Sequence, residues 1–409
     1  MTRTRSLALL LLLACATPAA AEDGVALIGS YTLAGVDSLG PYAGVARIDS
    51  ARDGLRITLQ RGERAPRRGR LVPGEGEGWR LLLDDGSAPP EVFRWADGVL
   101  DSGQAQLTRR GALRVAVSVD WEGRELADGN LRAMEAFERE TPGVPLTHFL
   151  NAAYLTKPGA DPAAVAAALR RVVRAGDERG LHVHGWHSLV TAAGVAFRAG
   201  PTFWDGGQIA RPRPGRDAGH EVEIAAYTAP ELRRIVAHSR RLLAEAGYEL
   251  GGAFRAGGWI ATPHVLEAVR AEGLWIDSSA TTHEWHDELL GYALWERIAE
   301  VWPEVHATTQ PYWIETPAGR VLEMPDTGAL ADYVTAEEML AHLEQALEAQ
   351  AAAPRRDRFV HLGFHQETAA RYAPRVSAAI RVLRARHPTA PLVFEPLSAS
   401  ALGARAQLD

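Results

Sequence analysis

Four short segments combine reactive side chains with the end of an apolar run. Ser118-Val119-Asp120-Trp121-Glu122-Gly123 sets two acids two positions apart, and a strand period of two turns both carboxylates to one side. Gly180-Leu181-His182-Val183-His184-Gly185-Trp186-His187 carries three imidazoles within six residues. Phe359-Val360-His361-Leu362-Gly363-Phe364-His365-Gln366 is an apolar run that ends in His365. Between them, Phe254-Arg255-Ala256-Gly257-Gly258-Trp259 sets an arginine against a glycine pair. Two imidazoles and one carboxylate make a catalytic zinc shell with positions left for water. The same donors accept other divalent ions, so ligand type alone does not select the metal. Each residue taken singly also has a plainer reading: a turn-forming Asp, a satisfied core His, an Arg in a structural ion pair. Clustered imidazoles repel once protonated, and His is the commonest metal ligand, so the triple cluster points to metal binding.

The elements that must carry these segments alternate. A buried-type strand at 113–119 precedes a helix from about 130 to 140. Helix 161–178, strand 180–184, helix 229–246, strand 251–254, helix 262–272 and strand 274–276 follow. Helix 335–350, strand 358–364, helix 367–386 and strand 391–394 complete the series. Thr228 is a good N-cap for the helix at 229, with Pro230 in its first turn and Gly247 beyond its end. Strands alternating with helices predict parallel βα units in an open sheet or a barrel, with active residues at the C-terminal strand ends. All four segments fall there.

Residues 22–110 read differently. Short runs such as Gly29–Leu33, Val45–Ile48, Leu55–Leu59, Trp79–Leu83 and Val92–Trp95 are separated by Gly, Asp and Pro turn signals. This predicts a small all-β domain, sandwich-like or a half-barrel. It contains no histidine. It reads as an accessory module or spacer, with carbohydrate binding as the alternative.

The order of the four segments resembles the polysaccharide deacetylase family, which includes chitin and peptidoglycan N-deacetylases. The resemblance covers residues 111–400 and not the N-terminal module. In that family a strand ends T-F-D-D-G, an H-[ST]-x-x-H metal motif and an R-x-x-P-type segment follow, and a late strand ends L-x-I-H. Ser118–Gly123, His182–His187, Arg255–Trp259 and Leu362–His365 stand in those places. The resemblance implies a distorted (β/α) barrel of about seven parallel strands. It also implies metal-dependent removal of N-acetyl groups from an acetylated polysaccharide. Asp120 is the implied general base, Arg255 its brace and His365 the general acid. Trp121 occupies the place of the family's metal-binding Asp, so Glu122 supplies the carboxylate. The spacing of the His cluster also departs from the motif, so His182, His184 and His187 all stand as ligand candidates for a divalent ion, zinc first.

Sugars stack on aromatic rings, and loops at the active face carry specificity. Trp121, Trp186, Gly258, Trp259 and Trp313 are the candidate substrate contacts. The insertion Ser279–Thr316 holds Trp285, Trp295, Trp302 and Trp313, with His283 and His286 as a second candidate metal pair. Its tryptophans read equally as core. Two other functions stay open: a non-catalytic carbohydrate-binding protein on the same fold, and a hydrolase of a small non-sugar amide.

Composition narrows the field. The chain has 409 residues, 46% hydrophobic and 23% charged, which excludes wholesale disorder. A formal charge of −7 argues against a nucleic-acid partner. Cys15 is the only cysteine, so neither an intramolecular disulfide nor a cysteine zinc site can be built from this chain. Residues 1–21 combine Arg3 and Arg5, an apolar core from Leu7 to Ala14 and Ala19-Ala20-Ala21, which reads as an export signal. Leu12-Leu13-Ala14-Cys15 also fits a lipoprotein signal with a lipid anchor at Cys15. Either reading takes the protein to the periplasm, the cell envelope or the outside. The apolar run falls short of the about 20 residues a transmembrane helix needs. Residues 401–409 are expected to be a C-terminal tail.

Overall fold

The computed structural model describes residues 27–37, 40–51, 54–74, 78–204, 211, 215–284 and 293–408. The expected signal segment, Cys15, Trp285 and His286 lie outside them. The chain divides into two compact units, one ending at Arg110 and one spanning Gly111–Leu408.

The first unit is built from β1 (Gly29–Asp37), β2 (Gly40–Ala51), β3 (Gly54–Arg61), β4 (Arg67–Pro73), β5 (Gly78–Leu83), β6 (Glu91–Ala96), β7 (Val99–Asp101) and β8 (Ala105–Arg110). Along β3, Leu55, Ile57 and Leu59 are buried while Arg56 points outward, the period-two pattern of a one-sided strand. Asp97 and Gly98 both have positive φ, 47° and 77°, as a tight primed turn between β6 and β7 requires. The expected sandwich or half-barrel is replaced by a closed barrel. Each strand pairs antiparallel with the next, and β1 also pairs with β8 from Ser30–Arg110 to Gly35–Ala105. Sandwich and barrel share the same inward-outward alternation. Only this last ladder, between residues far apart in the chain, separates them, and it leaves no open edge.

The second unit contains β9 (Leu113–Asp120), α1 (Asp128–Glu140), β10 (Thr147–Leu150), α2 (Pro162–Val172), β11 (Glu178–Val183), α3 (His187–Ala192) and α4 (Ala229–Glu245). It continues with β12 (Ala253–Ala256), α5 (Pro263–Ala271), β13 (Ile276–Asp277), α6 (Ala293–Val301), β14 (Tyr312–Ile314) and β15 (Val321–Glu323). It ends with α7 (Ala336–Ala352), β16 (Arg358–His365), α8 (Ala369–Arg386), β17 (Leu392–Phe394) and α9 (Leu397–Leu408). The cap expected for α4 is present: the Glu231 carboxylate accepts the Thr228 N–H at 2.9 Å, and Gly247 takes φ 91° beyond the helix end. The helix expected to run to 178 stops at Val172. Asp177 accepts the N–H groups of Leu146 and Arg174, both at 2.9 Å, and turns the chain into β11.

The sheet order is β14-β15-β13-β12-β11-β10-β9-β16, with β17 beside the first half of β9. The seven strands from β15 to β16 are parallel, and β14 is antiparallel. The strand number agrees with the expected barrel, but closure does not. Among the described residues no ladder joins β15 to β16, and a single bridge from Leu330 to Gly363 reaches across. The expected tail is also corrected. Residues 397–408 form α9, whose Leu397, Ala401 and Ala404 pack against Ala116, Phe149, Ala253 and Ile276. Leu397 N–H reaches Thr147 Oγ1 at 3.0 Å and Ser398 N–H reaches Glu178 Oε2 at 2.8 Å, so α9 covers the end where the strands begin. The opposite, C-terminal strand end is left for the site.

Candidate metal and active site

Parallel register brings the reactive residues together. Asp120 stands beside His365 across β9 and β16, and His182 beside Arg255 across β11 and β12. Beyond the end of β9, Glu122 becomes the hub. Its Oε1 lies 3.3 Å from His182 Nε2 and 3.4 Å from His365 Nε2, and its Oε2 lies 2.9 Å from His184 Nε2. His220 Nε2 contacts the same Oε2. The imidazoles, above all His184 and His365, overcome the burial penalty and hold Glu122 well below the usual carboxylate range.

The tautomers follow from the partners. His182 Nδ1 donates to the Arg255 carbonyl at 2.8 Å, and His184 Nδ1 to the His220 carbonyl at 2.7 Å. With both rings neutral, as ligation requires, the Nε2 atoms carry the lone pairs, and they face each other at 3.0 Å. Two inward lone pairs beside a carboxylate are the donor arrangement of a divalent cation, and the backbone carbonyls on Nδ1 fix each ring. Glu122, His182 and His184 offer ligand atoms that all lie within 4.8 Å of one another. The residues present fit a metal ion. Gly257 is part of this arrangement: a Cβ there would meet His184 Nδ1 at 2.5 Å.

Arg255 lies fully buried beneath the site and binds Asp120 through Nη1 at 3.0 and 3.2 Å. It also contacts Ser118 Oγ at 3.0 Å, the Ser278 carbonyl at 2.8 Å, Ser278 Oγ at 2.9 Å and the His361 ring at 3.3 Å. Asp326 lies 3.4 Å from the same guanidinium and accepts Trp259 Nε1–H at 3.0 Å. Burial lifts the Asp326 carboxyl to about 6 despite that cation. Trp259 sits at φ 59°, a left-handed backbone rare for an aromatic residue, held by this bond and by Trp302 Nε1 donating to its carbonyl at 2.8 Å.

His365 is held from both sides. Its Nδ1 lies 3.0 Å from Asp332 Oδ2. Burial alone would lower its pKa, but Asp332 and Glu122 outweigh burial and lift it to about 10. Glu367 accepts the N–H groups of Glu122 and Arg124, each at 3.2 Å, and the Tyr154 hydroxyl, which fixes the turn that carries Glu122. Burial and the nearby Glu122 raise Glu367 to about 7.

These groups line a cavity of about 370 Å³, with Phe203, Trp204, Leu294 and Tyr333 as apolar walls. Asp120, Glu122, His182, His184, His365, Gly258 and Trp259 all face it. Arg255 acts from behind Asp120. Four candidates fall elsewhere. His187 opens α3 and packs edge-on against Phe197 at 5.0 Å, because the chain turns at Gly185-Trp186 and carries it off the strand line. Trp121 is fully buried and donates to His148 Nδ1 at 3.2 Å, since alternation sends it to the opposite face from Asp120 and Glu122. Trp186 is buried and donates to the Glu122 carbonyl at 2.8 Å, so it braces the loop. Trp313, on β14, lies against the Arg320 guanidinium and the α9 side of the sheet. His283 is exposed, and Trp295 and Trp302 are core.

The sequence reading missed His220, Asp332 and Glu367. His220 follows a Gly-Pro-rich stretch with no strand to mark it. Burial and the neighbouring His184 push it down to about 3. A signal for Glu367 existed, since it lies two residues past His365, in the turn that opens α8.

No family profile and no curated protein matches the chain. Solved structures do match, those named here at TM-scores under 0.5. Several of them are polysaccharide deacetylases. A candidate polysaccharide deacetylase from Mycobacterium smegmatis is 15% identical, with TM-score 0.46, covering 77% of this chain and 94% of its own. An allantoinase is 14% identical, with TM-score 0.42, covering 79% and 96%. A mutant of a carbohydrate esterase family 4 pseudoenzyme is 9% identical, with TM-score 0.39, covering 91% and 92%. Likenesses this distant carry no functional argument, and the chemistry is read from the site's own groups.

Proposed function

We propose that this chain is an exported, metal-dependent hydrolase that removes N-acetyl groups from amino sugars of a cell-envelope or extracellular polysaccharide. The observation that carries the reading is the Glu122–His182–His184 donor set beside an arginine-braced Asp120 and a carboxylate-held His365. Glu122, His182 and His184 would hold the divalent ion, with zinc the first candidate. Bound there, a divalent cation polarises an amide carbonyl and acidifies water. The residues of the chain supply the rest. Asp120, with Arg255 against it, takes a proton as general base. His365, kept protonated by Asp332, gives one to the departing amine. The aromatic walls Trp204, Trp259 and Tyr333 receive the apolar face of a sugar. Opposed protonation states on Asp120 and His365 are what amide cleavage with an amine leaving group demands.

The test is acetate release from N-acetylglucosamine oligomers and acetylated envelope polysaccharide by the zinc-loaded protein, with Asp120→Asn as control. A small non-sugar amide is assayed alongside. Acetate from the sugars, absent with Asp120→Asn, supports the reading. Zinc retention with no acetate from any substrate sinks it, and cleavage of the small amide alone moves the assignment to that class.

A further inference from the structure

The first unit carries a second cavity, of about 120 Å³, far smaller than the one in the second unit. Its wall comes from the ends of β1, β3 and β5 and the starts of β2, β4, β6 and β8, so it is one mouth of the closed barrel. Leu33, Leu59, Leu81, Phe93 and Leu107 make it apolar. Ile48, Ile57, Leu71 and Leu100 are buried and fill the rest of the interior, which makes the cavity a cup and not a channel. Small antiparallel barrels hold ligands in this position.

The rim is basic. Arg61, Arg64 and Arg67 all line it, from the hairpin that joins β3 to β4. Residues 61–70 contain five arginines and one acid, in a chain whose formal charge is −7. The Arg61 guanidinium stands 3.8 Å over the Tyr42 ring, which fixes it at the mouth. Arg67 is anchored across the mouth by Asp85 at 3.3 Å. Arg64 is exposed and makes no ion pair among the described residues. The rim acid Glu91 is engaged by the Ser102 hydroxyl.

We propose that this cup binds a small amphipathic anion, with its apolar end among Leu33, Leu81 and Phe93 and its carboxylate, sulfonate or phosphate on Arg61 and Arg64. An apolar cup excludes water while a guanidinium rim recognises planar oxyanions. The limited volume suits a short acyl chain or an aromatic ring, well below the about 300–1,000 Å³ of drug-sized pockets. The proposal is independent of the hydrolase reading, because every residue in it belongs to the first unit.

The test uses the full chain and the fluorescent one-ring anion salicylate, with octanoate, octylamine and acetate as competitors. One saturable site is expected, displaced by octanoate and by neither octylamine nor acetate. Arg61→Gln and Arg64→Glu should each weaken binding about tenfold or more, with unchanged unfolding midpoints. Ala105→Phe, which fills the cup, should abolish binding. No saturable binding overturns the proposal, as does equal displacement by octylamine or indifference to the arginine variants. Capture of phosphatidylglycerol vesicles without binding of free octanoate also overturns it, assigning the hairpin to a membrane surface.

Discussion

His182 Nε2 and His184 Nε2 stand 3.0 Å apart, each ring having committed its Nδ1–H to a backbone carbonyl. In the neutral rings both Nε2 lone pairs are turned to one point, where a divalent cation would satisfy them together with Glu122. Purified protein is therefore expected to carry or take up about one divalent ion per chain. His182→Ala and His184→Ala should lose it by elemental analysis, and His187→Ala should keep it. Loss in the His187 variant alone would overturn the ligand set.

Gly257 lies against the face of the His184 ring. A methyl group there meets Nδ1 at 2.5 Å and must displace the ring from its carbonyl. Gly257→Ala is expected to weaken metal affinity by about 10–100-fold, the scale seen when the partner that orients a ligating His is lost. Calorimetric titration of the metal-free protein measures it, with circular dichroism to verify the fold.

Arg255 is the counter-charge for Asp120 and Asp326, all three buried. Arg255→Met leaves carboxylates without a cation and should destabilise the chain by about 3–5 kcal/mol in denaturant unfolding. Asp120→Asn keeps the packing and removes the base. It should cut turnover by about 10²–10⁴-fold, with Asp326 left as the counter-charge for Arg255.

His365 in the metal-free protein is expected to titrate near 10, against about 6.5 in an unfolded chain. Its folded pKa is raised, so its contribution to stability is complete below about 6.5 and is lost as pH rises through about 10. Asp332→Asn removes the nearest carboxylate and should lower the titration point. Imidazole NMR shifts in wild type and variant are the measurement, and an unshifted midpoint would refute the pairing.

Removal of α9 tests the correction at the C-terminus. A chain ending at Pro396 exposes Ala116, Phe149 and Ile276, which Leu397, Ala401 and Ala404 cover. The loss should be at least about 3 kcal/mol, from the apolar area returned to water. A true tail would cost nothing.

Most elements of the second unit were legible because their signals are local. The alternation in Leu113–Asp120, the Thr228 cap and Pro230 each act within a turn or a strand, so they need no partner elsewhere. Placement of Asp120, Arg255 and His365 at strand ends follows from the same grammar. His184 and His187 looked alike in sequence, yet one faces Glu122 and the other Phe197. A two-residue turn at Gly185-Trp186 separates them, and its direction is set by packing.

Tertiary structure decided the remainder. His220 meets Glu122 across 98 residues, and Asp332 meets His365 across 33. The β1–β8 ladder closes the first barrel, and α9 covers Thr147 and Glu178 from the far end of the chain. The residues by themselves determined which segments are strands and helices and which strand ends carry chemistry, because hydrophobic period and capping are short-range. Which imidazole reaches the carboxylate, and whether a sheet closes, depend on long loops brought together by burial, and no spacing in the chain encodes that distance.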